Sequence, residues 1–168
     1  MKRSARVVQG ALFYLVWYLA ITSVSDGHLV RATLLLLLFL LLVLYQASYS
    51  WIKLLGISVA CSAVDVVVTV FSGSIEYRHD AVSLFGYPLW LACMWGVFVG
   101  CLGGSLQFLT TMNPIRLAIV GGVGGSLSLF YASRLGAVEY PLGIWCGLAC
   151  TSALWMIVLP VAVGVIRK

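Results

Sequence analysis

Charge is what this chain has least of. Only 9% of its 168 residues are Asp, Glu, Lys or Arg, against 62% hydrophobic. Soluble domains carry about 25% charged residues, so a water-soluble fold of this length could not cover its own surface. The composition, with a mean hydropathy of +1.09, is that of an integral membrane protein. We read residues 1–168 as one membrane domain with little outside the bilayer. Acid is scarcer still: the carboxylates are Asp26, Asp65, Glu76, Asp80 and Glu139, and of these only Asp65 stands inside an apolar run. Both histidines, His28 and His79, stand between apolar runs. That leaves no defensible Ser-His-Asp arrangement, and the loop Asp, Glu and His residues match no metal-ligand spacing. No Cys-x-x-Cys pair occurs among Cys61, Cys93, Cys101, Cys146 and Cys150. All five lie in apolar runs, where cysteine behaves as a small hydrophobe. Gly121 to Gly125 lacks the Lys-Ser/Thr ending of a phosphate-binding loop. No metal and no cofactor is implied.

What remains is a series of long apolar runs. The first, Val7 to Val24, follows Lys2, Arg3 and Arg6. It resembles the start of a signal peptide, but no Ala-x-Ala cleavage site follows, and it reads as a retained helix. Further spans run from about Leu29 to Tyr45, Ile52 to Phe71, Leu84 to Leu109, the Asn113-Pro114 turn to Ser133, and Pro141 to Ile166. The second is so leucine-rich that no polar face distinguishes it, and it is expected to face lipid. Tyr45, Tyr49 and Trp51 read as an interfacial aromatic belt. Pro160 lies inside the sixth span and is expected to kink it. The fold class is therefore all-α, a polytopic transmembrane bundle of six helices.

Six spans put both termini on one side. Lys2, Arg3, Arg6, Lys53, Arg116, Arg167 and Lys168 fall at that face with no acid among them. Arg31, Arg78 and Arg134 fall at the other, with Asp26, Glu76, Asp80 and Glu139. This asymmetry makes the N- and C-termini cytoplasmic. The net charge of +5 thus marks span ends and anionic headgroups. It implies membrane lipids as partners and no nucleic acid. A membrane protein partner or a homo-oligomer is left open.

The stretch from Pro88 to Gly136 organises the rest. Gly96, Gly100 and Gly104 recur every four residues and share one helix face. Gly121 and Gly125 repeat the spacing on the next helix. Such faces let helices associate closely in a membrane, so the fourth and fifth helices are expected to approach each other. A second reading has Gly121 to Gly125 locally unwound, since each interior glycine costs a helix about 1 kcal/mol. Ser126 and Ser128 are the polar groups beside it.

Asp65 is the strongest single candidate for function, because a carboxylate at membrane depth costs about 2.5–3.5 kcal/mol on insertion scales. Twelve residues after Lys53, it lies near mid-membrane and slightly toward the far side. It either pairs with Arg134 or Arg31, bonds as a neutral acid to a neighbouring helix, or serves a ligand or proton.

Trp17 behind Phe13, a lone Asp in the third span, Pro88-Leu89-Trp90 with Met94-Trp95, and the Gly-x-x-Ser…Arg134-Leu135-Gly136-Ala137 run also carry a resemblance. They resemble a family of bacterial inner-membrane proteins defined only as a domain of unknown function. The pattern differs here at Tyr14, Ser126 and Leu129. The resemblance implies an inner-membrane location and, through members encoded near cyclopropane-fatty-acid-synthase-like genes, a link to lipid biology. It implies no activity. The residues suit a non-catalytic protein, either a small transporter or an accessory subunit of a lipid-modifying system. A membrane-embedded lipid-modifying enzyme and a structural scaffold are the alternatives.

Overall fold

The structure, a computed structural model, describes residues 3–46, 50–69, 72–78, 83–84 and 87–167. Lys2, Tyr49, His79, Asp80 and Lys168 therefore lie outside the described residues. Six α-helices account for most of the chain: α1 (Arg3–Ser25), α2 (Leu29–Gln46), α3 (Trp51–Thr69), α4 (Leu89–Leu102), α5 (Pro114–Arg134) and α6 (Ile144–Arg167). All but α4 are long and apolar enough to cross a bilayer. The chain is a multi-pass membrane protein, as its composition requires.

Two short strand pairs interrupt the helical plan, and neither shows in the sequence pattern. Strand β1 (Glu76–Tyr77) pairs antiparallel with β4 (Val138–Glu139), joining the α3–α4 connection to the α5–α6 connection. Strands β2 (Ser83–Leu84) and β3 (Tyr87–Pro88) form a hairpin that leads into α4. Gly136 permits the turn from α5 into β4 with φ +83°, a value few L side chains adopt. The Ser25 hydroxyl at the end of α1 donates to the Leu135 carbonyl, and the Arg78 guanidinium donates to the Ser25 carbonyl. These contacts gather the ends of α1 and α5 and the α3–α4 and α5–α6 connections at one end of the bundle.

The opposite end is held by other contacts. Arg167, near the end of α6, donates to the carbonyls of Thr110 and Met112 in the α4–α5 connection. Gln9, near the start of α1, accepts from the Ser105 backbone N–H at 2.6 Å. The start of α1 and the end of α6 therefore lie at the same end of the bundle. Asn113 caps α5 by accepting from Arg116 N–H at 2.9 Å, with Pro114 in the first turn. That is the arrangement these two residue types favour.

α4 is shorter than the Leu84–Leu109 span suggested. It has 14 residues and is followed by a 3-10 helix at Gln107–Thr111. Fourteen residues reach about 21 Å, less than the hydrocarbon thickness of about 30 Å. The chain therefore leaves regular helix inside the bundle, and its freed backbone groups need protein partners. Gln9, only 4% exposed, supplies one. Gln9 stands near the basic start of the first apolar run, where a side chain could reach water or headgroups, but it turns inward onto the Ser105 N–H.

α4 is the most enclosed helix, with Trp90, Trp95, Val97, Val99 and Cys101 among its buried residues. It packs against α2 and α3, while α5 packs along α6. The glycine faces do mark close approach, but between different partners from those expected. Gly96 and Gly100 of α4 receive Leu40 and Val43 of α2, and Gly104 lies against Gln9. Gly121 meets the backbone carbonyl of Trp155 on α6, and Gly125 meets the Trp155 ring. α4 and α5 are thus not the close pair. α5 is also helical throughout Gly121 to Gly125, because α6 fills its glycine face and holds it. In α2 the uniform leucine run has a direction after all: Leu29, Ala32, Leu36, Phe39 and Val43 are buried at alternating three- and four-residue steps. The intervening Leu34, Leu38 and Leu41 point outward.

Candidate functional site

Asp65 is on α3, four residues before its last described residue, Thr69. Its place near the C-terminal end of α3 brings the α3–α4 connection within reach. The side chain is 2% exposed. Tyr77 Oη donates to Oδ1 at 3.1 Å, Tyr87 Oη to Oδ2 at 2.9 Å, and Trp95 Nε1 to Oδ2 at 2.9 Å. One donor comes from β1, one from β3 and one from α4. Burial first, and then the neighbouring carboxylate, hold the hydroxyls of Tyr77 and Tyr87 above the ordinary tyrosine range. Both keep their protons and donate. An indole N–H can only donate, so all three partners suit an ionised carboxylate.

The magnitudes agree. Three hydrogen bonds to a charged group contribute about 1.5–3 kcal/mol each. That exceeds the ~2.5–3.5 kcal/mol of placing a carboxylate at membrane depth. Dipoles alone leave the net charge in place, however. A cation about 4 Å away would gain roughly 4 kcal/mol at an effective dielectric constant of 20.

The anticipated ion pair with Arg134 or Arg31 is not what answers this charge. Both arginines are exposed, and among the described residues the carboxylate's partners are the two tyrosines and the tryptophan. The physical reason is depth. An arginine at the end of a span extends toward water, while aromatic donors from the folded outer segment are already beside Asp65.

A pocket of about 60 Å³ opens beside the carboxylate. It lies where the close contact of α4 with α5 was expected. Met94, Trp95 and Phe98 of α4 form one wall, and Gly125, Ser128 and Leu129 of α5 face them. Trp17 of α1 and Trp155 of α6 complete the lining. The Trp95 and Trp155 rings stack with centroids 4.7 Å apart and planes inclined by 20°. Phe98 meets Trp155 edge-on at 5.0 Å. On the outer side, Tyr77 packs edge-on against Tyr87 and Trp90. Trp90 Nε1 in turn donates to the Arg78 carbonyl at 3.2 Å.

The structure therefore brings together Asp65, Ser128 and Gly125 from the residues singled out in the sequence. It leaves Arg134 outside. Ser126 is occupied elsewhere, because its hydroxyl donates to the Leu148 carbonyl at 3.3 Å and ties α5 to α6. Tyr77, Tyr87 and the donor role of Trp95 were not foreseen. Trp17 and Met94-Trp95 stood out as sequence features without a role, and both line the pocket. Nothing in the spacing of Tyr77 or Tyr87 signals that their connection folds back onto α3.

This geometry defines a class: a six-helix membrane bundle with one buried carboxylate in an aromatic pocket. The chain belongs to the DUF2878 family, described as proteins of unknown function, whose pattern matches residues 6–161. No curated protein and no solved structure matches it.

Proposed function

We propose that this protein is a small multi-pass transporter of the bacterial inner membrane, with both termini cytoplasmic, whose substrate site is the Asp65 pocket. The observation that carries this reading is a carboxylate with no cationic partner among the described residues, beside a pocket between α4 and α5. Intramembrane acids that face a cavity mark substrate or ion pathways. The seven-to-three split of basic residues supports the orientation. The pocket favours this reading over catalysis, because among the described residues it offers one carboxylate, one serine and one tyrosine hydroxyl, with no second acid or base beside them.

One observation favours a scaffold instead. Tyr77 and Tyr87 both come from the outer connection, so Asp65 also pins that segment onto the bundle. A role beside a lipid-modifying system rests on the family resemblance alone. Mass spectrometry of small solutes and of lipids, from cells lacking the gene and cells overproducing the protein, separates these readings. The transporter reading predicts altered levels of a set of small solutes with unchanged lipids. Altered acyl chains or headgroups with unchanged solutes would overturn it in favour of the lipid-linked reading.

A further inference from the structure

We infer that the Asp65 pocket binds a small nitrogen cation, ammonium or the head of a primary amine; this rests on reading the pocket as a solute site. Three features of the site select that chemistry. The first is charge. Oδ2 accepts two hydrogen bonds and Oδ1 accepts one. Among the described residues these bonds fill three of the roughly four acceptor positions of a carboxylate. All three donors are uncharged, and among the described residues no cation neutralises the carboxylate.

The second is the wall. The indoles of Trp17, Trp95 and Trp155 and the phenyl ring of Phe98 line the pocket. Aromatic faces attract cations through the ring quadrupole, most strongly when water is excluded. They supply no lone pairs for a hard metal ion, which needs about six oxygen ligands. An N–H cation makes use of both surfaces, with one N–H directed to Oδ1 and the rest of its charge spread over the rings.

The third is size. A volume of about 60 Å³ exceeds the ~10–15 Å³ that a single water needs. Ammonium or a methylammonium-sized head fits this space. A tetramethylammonium head has no N–H to give the carboxylate and serves as the control for that contact.

The test uses the full-length protein in detergent. Tryptophan emission and thermal stability are followed during titration with methylammonium chloride. Potassium chloride and tetramethylammonium chloride at equal ionic strength serve as controls. Wild type should show a saturable emission change and a rise in melting temperature with methylammonium only. Asp65→Asn should abolish both responses. Ser128→Leu, which fills the pocket from α5 and leaves the carboxylate and its donors intact, should weaken binding at least tenfold. Absence of a methylammonium response in wild type would overturn the inference, as would an equal response to potassium or an unchanged response in Asp65→Asn. If the cations fail while Asp65→Asn still cannot restore the solute profile of deletion cells, the ligand class is wrong and the site reading survives. If Asp65→Asn restores that profile, both fall.

Discussion

Replacing Asp65 separates the contribution of its charge from that of its acceptors. In Asp65→Ala, Tyr77 Oη, Tyr87 Oη and Trp95 Nε1 all lose their acceptor. An orphaned buried donor costs about 1–3 kcal/mol, giving roughly 3–9 kcal/mol for three. Against a typical total of about 5–15 kcal/mol, that is a severe loss. Removing the charge from membrane depth returns about 2.5–3.5 kcal/mol in this variant too, so from the middle of the range the net loss is about 3 kcal/mol. Asp65→Asn behaves differently. The amide oxygen in the Oδ2 position still accepts from Tyr87 and Trp95, while the amide nitrogen donates to a Tyr77 hydroxyl that has turned to accept. Three bonds pass from charged to neutral strength, a loss of about 1 kcal/mol each. Removing the charge from membrane depth returns about 2.5–3.5 kcal/mol. The net change is within about 1 kcal/mol. At roughly 2–4 °C per kcal/mol for a chain of this size, Asp65→Ala should melt at least about 6 °C below wild type in detergent, and Asp65→Asn within about 4 °C of it. Arg134→Gln, an exposed change, should cost no more than about 0.5 kcal/mol. Equal melting temperatures for Asp65→Ala and Asp65→Asn would refute the three-donor account. So would a loss in Arg134→Gln as large as that in Asp65→Ala.

Other consequences are as specific. A Cβ at Gly121 meets the Trp155 backbone carbonyl, and one at Gly125 meets its ring, whereas one at Gly124 meets open space. Gly121→Ala and Gly125→Ala should lower folded yield on size-exclusion chromatography, by about 1–3 kcal/mol of overpacking; Gly124→Ala should be neutral or stabilising by up to about 1 kcal/mol. Gln9→Leu removes the acceptor of Ser105 N–H and should destabilise by about 1–3 kcal/mol, read as a lower melting temperature. A reporter active only in the cytoplasm should be active when fused after Lys168 and silent when inserted at Arg78; the reverse pattern would remove the positive-inside argument.

The number of helices and their order were legible because membrane helices must satisfy their own backbone hydrogen bonds, and a continuous apolar run has few other options. The depth of Asp65 was nearly legible too, since helix rise fixes distance along a span. Partner choice was not. Gly96, Gly100, Gly121 and Gly125 announce that something comes close, yet a glycine face does not say which helix fills it. Leucines at every position of α2 carry no period, so its buried stripe appears only once α1 and α4 are in place. The donors to Asp65 were hidden for a related reason: Tyr77 reaches it from the β1–β4 pair and Tyr87 from the β2–β3 hairpin, two-residue strands far too short to leave an alternating pattern.

The most direct measurement is the behaviour of Asp65→Asn in cells that lack the wild-type gene, with the folded fraction of the variant measured in the same membranes. If the pocket is a substrate site, the variant accumulates as folded protein at near wild-type level and fails to restore the small-solute profile. Full restoration of that profile by folded Asp65→Asn would contradict this and leave the carboxylate as an anchor for the outer connection.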